Sequence, residues 1–258
     1  MKKVFSILLI VLLSLTLCSC LDKIAAERDD KYDIKETEDF EYKLVYHYEG
    51  SWDQYALGDV FSEKMALFIP PKIDGIPVTD LGFDLLSGTR DLHTFHSGRL
   101  YLPNTISLII PHYARTAGVK IFFCGDPRDL SFLFWRIKES DNHIYVPYDE
   151  YQSFCQVYGI VKDVIYLEKA NVSYYLNYPD GIYEYNKYYY IDYYENGELI
   201  EFIPPIPEKE GYAFGGWYKE EECINKWDFD NDIVPSKEYD ENGQYILKEI
   251  KLYAKWGN

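Results

Sequence analysis

Few residues in this chain carry side chains and spacings that could do chemistry. Asp228-Phe229-Asp230-Asn231-Asp232 alternates carboxylates as a calcium loop does. An EF-hand loop needs Gly at its sixth position and Glu at its twelfth. Counted from Asp228, those places hold Ile233 and Tyr239, so an acidic turn is expected. His93 and His96 stand three residues apart, but zinc takes four ligands, and only Asp91, His112 and Cys124 could complete the set. Cys124 lies in Phe122-Phe123-Cys124-Gly125, an apolar setting that does not favour a thiolate. No motif brings His112 or His143 to it, and there is no G-x-S-x-G elbow. Carboxylates are so frequent that pairs of them carry no information, and no phosphate-binding glycine loop is present. The reading is a chain with no catalytic residue, no metal and no cofactor. Tyr188-Tyr189-Tyr190 with Tyr193-Tyr194 could stack on sugars; strands with alternating faces explain the same residues.

The N-terminal residues carry a different chemistry. Met1-Lys2-Lys3 is followed by a predominantly apolar run from Val4 to Leu17, then Leu17-Cys18-Ser19-Cys20. This resembles a bacterial lipoprotein signal with its lipobox. The resemblance implies cleavage after Ser19 and lipidation of Cys20 by acyl chains such as palmitate. The product would be lipid-anchored to the cell membrane, extracytoplasmic and exposed at the cell surface. An ordinary secretory signal or an uncleaved anchor would use similar residues. Stable anchoring takes two membrane signals, each acyl methylene adding about 0.8 kcal/mol.

Bulk properties narrow the partners. The 258 residues suffice for one or two domains, and 47% hydrophobic content is enough to build a core. Net charge is −17, becoming −19 once Lys2 and Lys3 are removed. So acidic a surface repels nucleic acid and anionic lipid, which excludes nucleic-acid binding. Beyond Cys18 and Cys20, an odd set remains: Cys124, Cys155 and Cys223. Cys124 and Cys155 could form one bridge, or all three are small apolar fillers. With 27 Tyr, 14 Phe and 5 Trp, the composition favours strands or contact surfaces.

The elements that must position these residues begin after a charged tether, residues 20–39. Phe40, Tyr42, Leu44 and Tyr46 alternate as in a half-buried strand. From Leu67 to Gly82, short apolar runs are cut by Pro70, Pro71, Gly75 and Pro77, so each run is a short strand ending in a turn. Leu100 to Ile106 and Ile144 to Pro147 repeat the shape, which suggests stacked units. Asp74-Gly75, Pro77-Val78-Thr79, Gly82, Leu102-Pro103-Asn104-Thr105-Ile106 and Ile144-Tyr145-Val146-Pro147, with Tyr151 and Phe154, resemble a BspA-like leucine-rich repeat. The family period is near 23 residues, whereas the prolines stand 33 and 44 apart, so a degenerate solenoid of two or three turns is expected over residues 40–168.

Near residue 169 the character changes. Glu195-Asn196-Gly197-Glu198 predicts a hairpin between Tyr193-Tyr194 and Leu199-Ile200. Gly211-Tyr212, Phe214-Gly215-Gly216-Trp217-Tyr218, Trp227-Asp228-Phe229 and Leu252-Tyr253-Ala254-Lys255-Trp256 resemble an internalin-type B-repeat, also called the Listeria–Bacteroides repeat. The resemblance implies a β-grasp-like α+β module of bacterial surface proteins over residues 169–258. Trp217, Trp227 and Trp256 then read as one aromatic core.

The expected fold is mainly β with some α: residues 1–19 signal, 20–39 tether, 40–168 leucine-rich array, 169–258 repeat module. The expected function is a non-catalytic, membrane-anchored surface lipoprotein for protein interaction or adhesion, with an extracellular or envelope protein as partner. The alternative is a glycan-binding envelope lipoprotein that uses exposed tyrosines.

Overall fold

The computed structural model describes residues 35–45, 54–60, 64–81, 98–106, 108–109, 119–126, 143–157, 166–183, 186–195, 197–235 and 238–257. Cys20, Asp91, His93, His96 and His112 lie outside them. The described residues form a mainly β fold with one short α-helix. The first part holds β1 (Lys35–Glu36), β2 (Phe40–Val45), β3 (Gln54–Val60), β4 (Ala66–Phe68), β5 (Lys72–Ile73), β6 (Ile76–Leu81), β7 (Gly98–Leu102), β8 (Leu108–Ile109), β9 (Val119–Phe123), β10 (His143–Val146), α1 (Tyr151–Val157) and β11 (Tyr166–Lys169). The second part holds β12 (Val172–Tyr175), β13 (Tyr188–Asp192), β14 (Ala213–Tyr218), β15 (Glu238–Tyr239), β16 (Tyr245–Ile246) and β17 (Ile250–Gly257).

β4, β7, β9, β10 and β11 form a parallel sheet in strict chain order. Leu67, Leu100, Ile121, Ile144 and Leu167 occupy one rung, 33, 21, 23 and 23 residues apart. The ladder thus has five strands rather than two or three. β9 escaped the proline count because Cys124 stands where Pro70, Pro103 and Pro147 follow their strands. The span of 44 residues between Pro103 and Pro147 therefore contains one whole extra strand.

Alternation sends each strand's residues to two faces. Leu67, Ile69, Leu100, Leu102, Ile121, Phe123, Ile144 and Val146 fill a first core with Val78 and Phe154. Phe40 and Tyr42 of β2 close that core. They belong to a second sheet, β1-β2-β3-β6-β5, in which β3 and β6 run parallel and β8 also pairs β6. Lys35 and Glu36, within the segment read as a tether, pair with Tyr42 and Glu41. Thr37 makes that turn possible: its Oγ1 accepts from the Asp39 and Phe40 amides at 3.1 and 3.0 Å.

On the other face of the parallel sheet, Phe68, Tyr101, Phe122 and Tyr145 form one column. Their rings stack at 4.0, 4.7 and 4.9 Å, with interplanar angles of 7°, 13° and 18°. The spacing follows from the backbone, since neighbouring strands lie about 4.7–4.9 Å apart and in-register side chains inherit that distance. Gly98 is required where β7 begins. Its φ is 134°, and a Cβ there would lie 2.6 Å from the Met65 carbonyl oxygen.

The second part is a sheet of order β13-β12-β17-β14, with the inner pair β12 and β17 parallel and both outer strands antiparallel. A bulge between Phe214 and Gly216 bends β14 onto β17, and Gly216 accommodates it with φ 114°. The expected α component of this module is absent among the described residues. Its connections between β13 and β17 are turns rich in Pro, Gly, Asp and Asn, which hold the backbone outside helical geometry. The expected hairpin is also replaced. Glu198 N donates to Glu195 O at 3.4 Å, so the turn exists. Leu199 then bridges Ile233, and Val234 N donates to Glu198 O at 2.8 Å. The arriving segment pairs with that later stretch instead of β13.

Candidate functional site

The tyrosines expected to be exposed are interior. Tyr188, Tyr189, Tyr190 and Tyr194 are all buried, and β13 is buried on both faces. Alternation predicts two faces for this strand; packing covers each of them. Tyr189 faces the module's own core, stacking on Trp217 at 6.2 Å. Tyr190 and Asp192 face the array. Tyr190 meets Phe68 edge-on at 5.1 Å, and its hydroxyl donates to Ile69 O at 2.6 Å. The glycan reading based on these side chains is corrected accordingly: β13 uses them to weld the two parts together.

The weld is one core. The column residues Tyr101, Phe122 and Tyr145 belong to the same apolar cluster as Tyr174, Tyr188, Trp217 and Leu252. Trp217 and Trp227 are buried in that cluster, and Trp256 packs on it half-buried. Trp256 Nε1 donates to Leu176 O at 2.6 Å.

An ion pair sits inside the weld. Arg99 on β7 bonds the carboxylate of Asp192 on β13 and donates to Tyr193 O at 2.9 Å. Tyr101 donates its hydroxyl to Asp192 Oδ2 at 2.8 Å, and the Tyr193 amide donates to Oδ1 at 2.7 Å. The guanidinium lies 4.6 Å from the Tyr194 ring centre. Burial pushes the Asp192 carboxyl up to about 6, although Arg99 and Tyr101 favour its charge. Burial is the largest single effect and opposes the Arg99 charge, but Asp192 together with Tyr101 and Tyr194 outweighs it and holds the guanidinium above its ordinary value.

Cys124 sits at the same junction. Its Sγ is within 3.5 Å of Leu102 O and 3.7 Å of Tyr189 O, and burial drives its thiol far above the ordinary range. It is a neutral core group without nucleophilic character. Cys124, Cys155 and Cys223 are free thiols, so the bridge between Cys124 and Cys155 is not formed.

The acidic turn is closed on itself. Asp228 accepts from Asp230 N at 3.0 Å and Asn231 Nδ2 at 2.8 Å, while Asp232 accepts from Asp228 N at 2.8 Å and pairs Lys219 at 2.7 Å. Its oxygens are spent on the turn's own donors. Among the described residues no cluster of three or more His, Cys, Asp or Glu is placed to hold a metal.

A concavity of about 670 Å³ lies along the seam. The first part contributes Pro70, Pro71, Asn104 and Thr105; the second part contributes Tyr178, Ile182, Tyr189, Tyr190, Pro205 and Ile206. The wall is pinned by Asn104 Nδ2 donating to Asn186 O at 3.0 Å and by Asn186 Nδ2 donating to Cys124 O at 2.6 Å. Neither half makes this cavity alone, and the sequence signalled it only through loop prolines far apart in the chain.

Comparison with known proteins places the second part in context. The chain is 40% identical over 62 residues to each of two proteins of Evansella cellulosilytica, one bearing the name of a membrane protein and the other that of a Gly-rich membrane protein. Those stretches cover 24% of this chain and only 7% and 6% of the relatives, so the chain spans a small fraction of their length. No solved structure matches. Residues 172–238 match the family of the Listeria-Bacteroides repeat domain.

Proposed function

We propose that this chain is a non-catalytic surface lipoprotein, anchored through lipid on Cys20, that engages another protein outside the cytoplasm. The observation that carries the reading is the repeat match at residues 172–238, welded to a parallel ladder instead of to a reactive centre. The ladder's intervals of 21 and 23 residues support a degenerate leucine-rich array over residues 40–168. The order β13-β12-β17-β14 with its parallel inner pair supports a β-grasp-like strand core for the module. Stacked arrays and small repeats present rigid surfaces to partners, and function argued from fold alone rests on analogy. A thiol driven far from ionisation and a self-satisfied acidic turn add no catalytic group.

The test is to display the chain on cells and measure adhesion to immobilised host-matrix and envelope proteins, with glycan arrays in parallel. Protein-selective adhesion lost on Cys20→Ser is the expected result. Selective glycan binding, or turnover of any offered substrate, would overturn it.

A further inference from the structure

We propose that the seam cavity docks an extended segment of a partner polypeptide carrying an aliphatic or prolyl side chain flanked by lysine or arginine. The inference rests on the protein-interaction reading above and names the chemistry of the partner.

Two polar groups in the wall point to it. Tyr189 is 6% exposed, and its hydroxyl has no hydrogen-bond partner among the described residues. Asn104 is 9% exposed; its Nδ2 is bonded to Asn186 O, but its Oδ1 accepts nothing among those residues. One donor and one acceptor, held on opposite halves of the molecule, match the C=O and N–H of a peptide unit.

The walls select the side chain. Pro70, Pro71 and Pro205 offer aliphatic surface without amide donors. Ile182 and Ile206 line the cavity with side chains 69% and 70% exposed, adding aliphatic surface that a partner can cover. The volume falls in the range of about 300–1,000 Å³ typical of binding pockets. A sugar would need a free aromatic face, and the cavity offers none. Tyr178 stacks on Tyr183 at 5.5 Å and carries the Lys209 ammonium at 4.3 Å. Tyr189 is taken by Trp217 and Tyr190 by Phe68.

Charge sets the flanks. Of the two lining lysines, Lys209 is paired with Asp180 at 2.7 Å and Lys72 has an interaction of its own, while Glu208 and Glu210 are exposed and make no ion pair among the described residues. On a chain of net charge −17, those carboxylates attract basic segments and steer their approach.

The experiment titrates the full chain, purified in detergent, with fluorescent hexapeptides of the form Lys-Lys-X-Z-Lys-Lys, where X and Z are drawn from Ile, Leu, Val and Pro. Saturable binding by at least one member is expected. Tyr189→Phe, which keeps the ring and the packing, should weaken it about fivefold to tenfold, the loss of one hydrogen bond. The Glu208→Gln and Glu210→Gln pair should weaken it further and flatten its salt dependence, with an unchanged near-ultraviolet circular dichroism spectrum. The proposal is overturned if no member binds, if binding ignores these substitutions, or if chitotetraose saturates the chain and the peptides do not. Should cells still adhere to proteins with Tyr189→Phe unaffected, the cavity assignment fails and the interaction reading stands; loss of both assays removes both.

Discussion

The Tyr101 hydroxyl donates to Asp192 Oδ2 at 2.8 Å, joining residues 91 positions apart across the junction of the two halves. Tyr101 belongs to the stacked column on the parallel sheet and Asp192 ends β13 of the second part. The bond therefore ties the array's outer face to the module that covers it, with Arg99 as the counter-charge.

The two ends of that ion pair should respond unequally. Arg99→Met leaves the Asp192 carboxylate buried and uncompensated, which costs about 3–5 kcal/mol. Asp192→Asn should cost much less. Asparagine still accepts from Tyr101, and Arg99 keeps Tyr193 O and the Tyr194 ring. Combining both substitutions should recover most of the Arg99→Met loss. Urea unfolding of the three variants at pH 7 measures the asymmetry.

The same carboxyl predicts a pH dependence. Its folded value, raised to about 6, exceeds the ordinary value of 3.8. Between those values the folded state binds more protons than the unfolded one, so this contribution to stability is complete below pH 4 and lost as pH rises through 6. Across that window the native chain should lose stability relative to Asp192→Asn by on the order of 3 kcal/mol. Denaturation midpoints for the two proteins from pH 4 to 7 would show it, and parallel curves would count against the assignment.

Trp217 is 3% exposed and packs on Tyr174 at 4.9 Å and Phe214 at 5.3 Å. Trp217→Ala should cost about 3–5 kcal/mol. Because its cluster includes Tyr101, Phe122 and Tyr145 of the array, calorimetry should record a single transition shifted as a whole. Two resolved transitions, only one of them moved, would mean that the halves melt independently.

Gly98→Ala should cost about 1–3 kcal/mol, since alanine at φ 134° is strained and its Cβ meets backbone at Met65 that cannot rotate away. Its thermal melting should fall below that of an alanine substitution at the exposed turn residue Gly243, where a Cβ meets nothing within 4 Å.

Cys20→Ser should abolish incorporation of a fatty-acid analogue, because no other cysteine of the chain follows a lipobox. Undiminished labelling would place the lipid elsewhere.

Local chemistry was legible in the sequence. Short runs ended by Pro70, Pro103 and Pro147 could only be strands. The signature around Trp217 identified the repeat, and the misplaced Gly and Glu positions after Asp228 excluded an EF-hand. These are properties of a residue and its near neighbours, which backbone sterics and side-chain chemistry decide. Cys124 in the place of a proline concealed a strand, since only the pairing of Ile121 with Leu100 and Ile144 on either side reveals its rung. The tertiary structure alone decided what covers each face. Period-two alternation says that Tyr188, Tyr190 and Asp192 share a side of β13, but whether that side meets water or Phe68, Ile69 and Arg99 depends on contacts roughly 90 to 120 residues distant. The seam cavity, the buried charge pair and the shared core all arise from that docking, because each needs groups from both halves and neither half's sequence specifies the other's position.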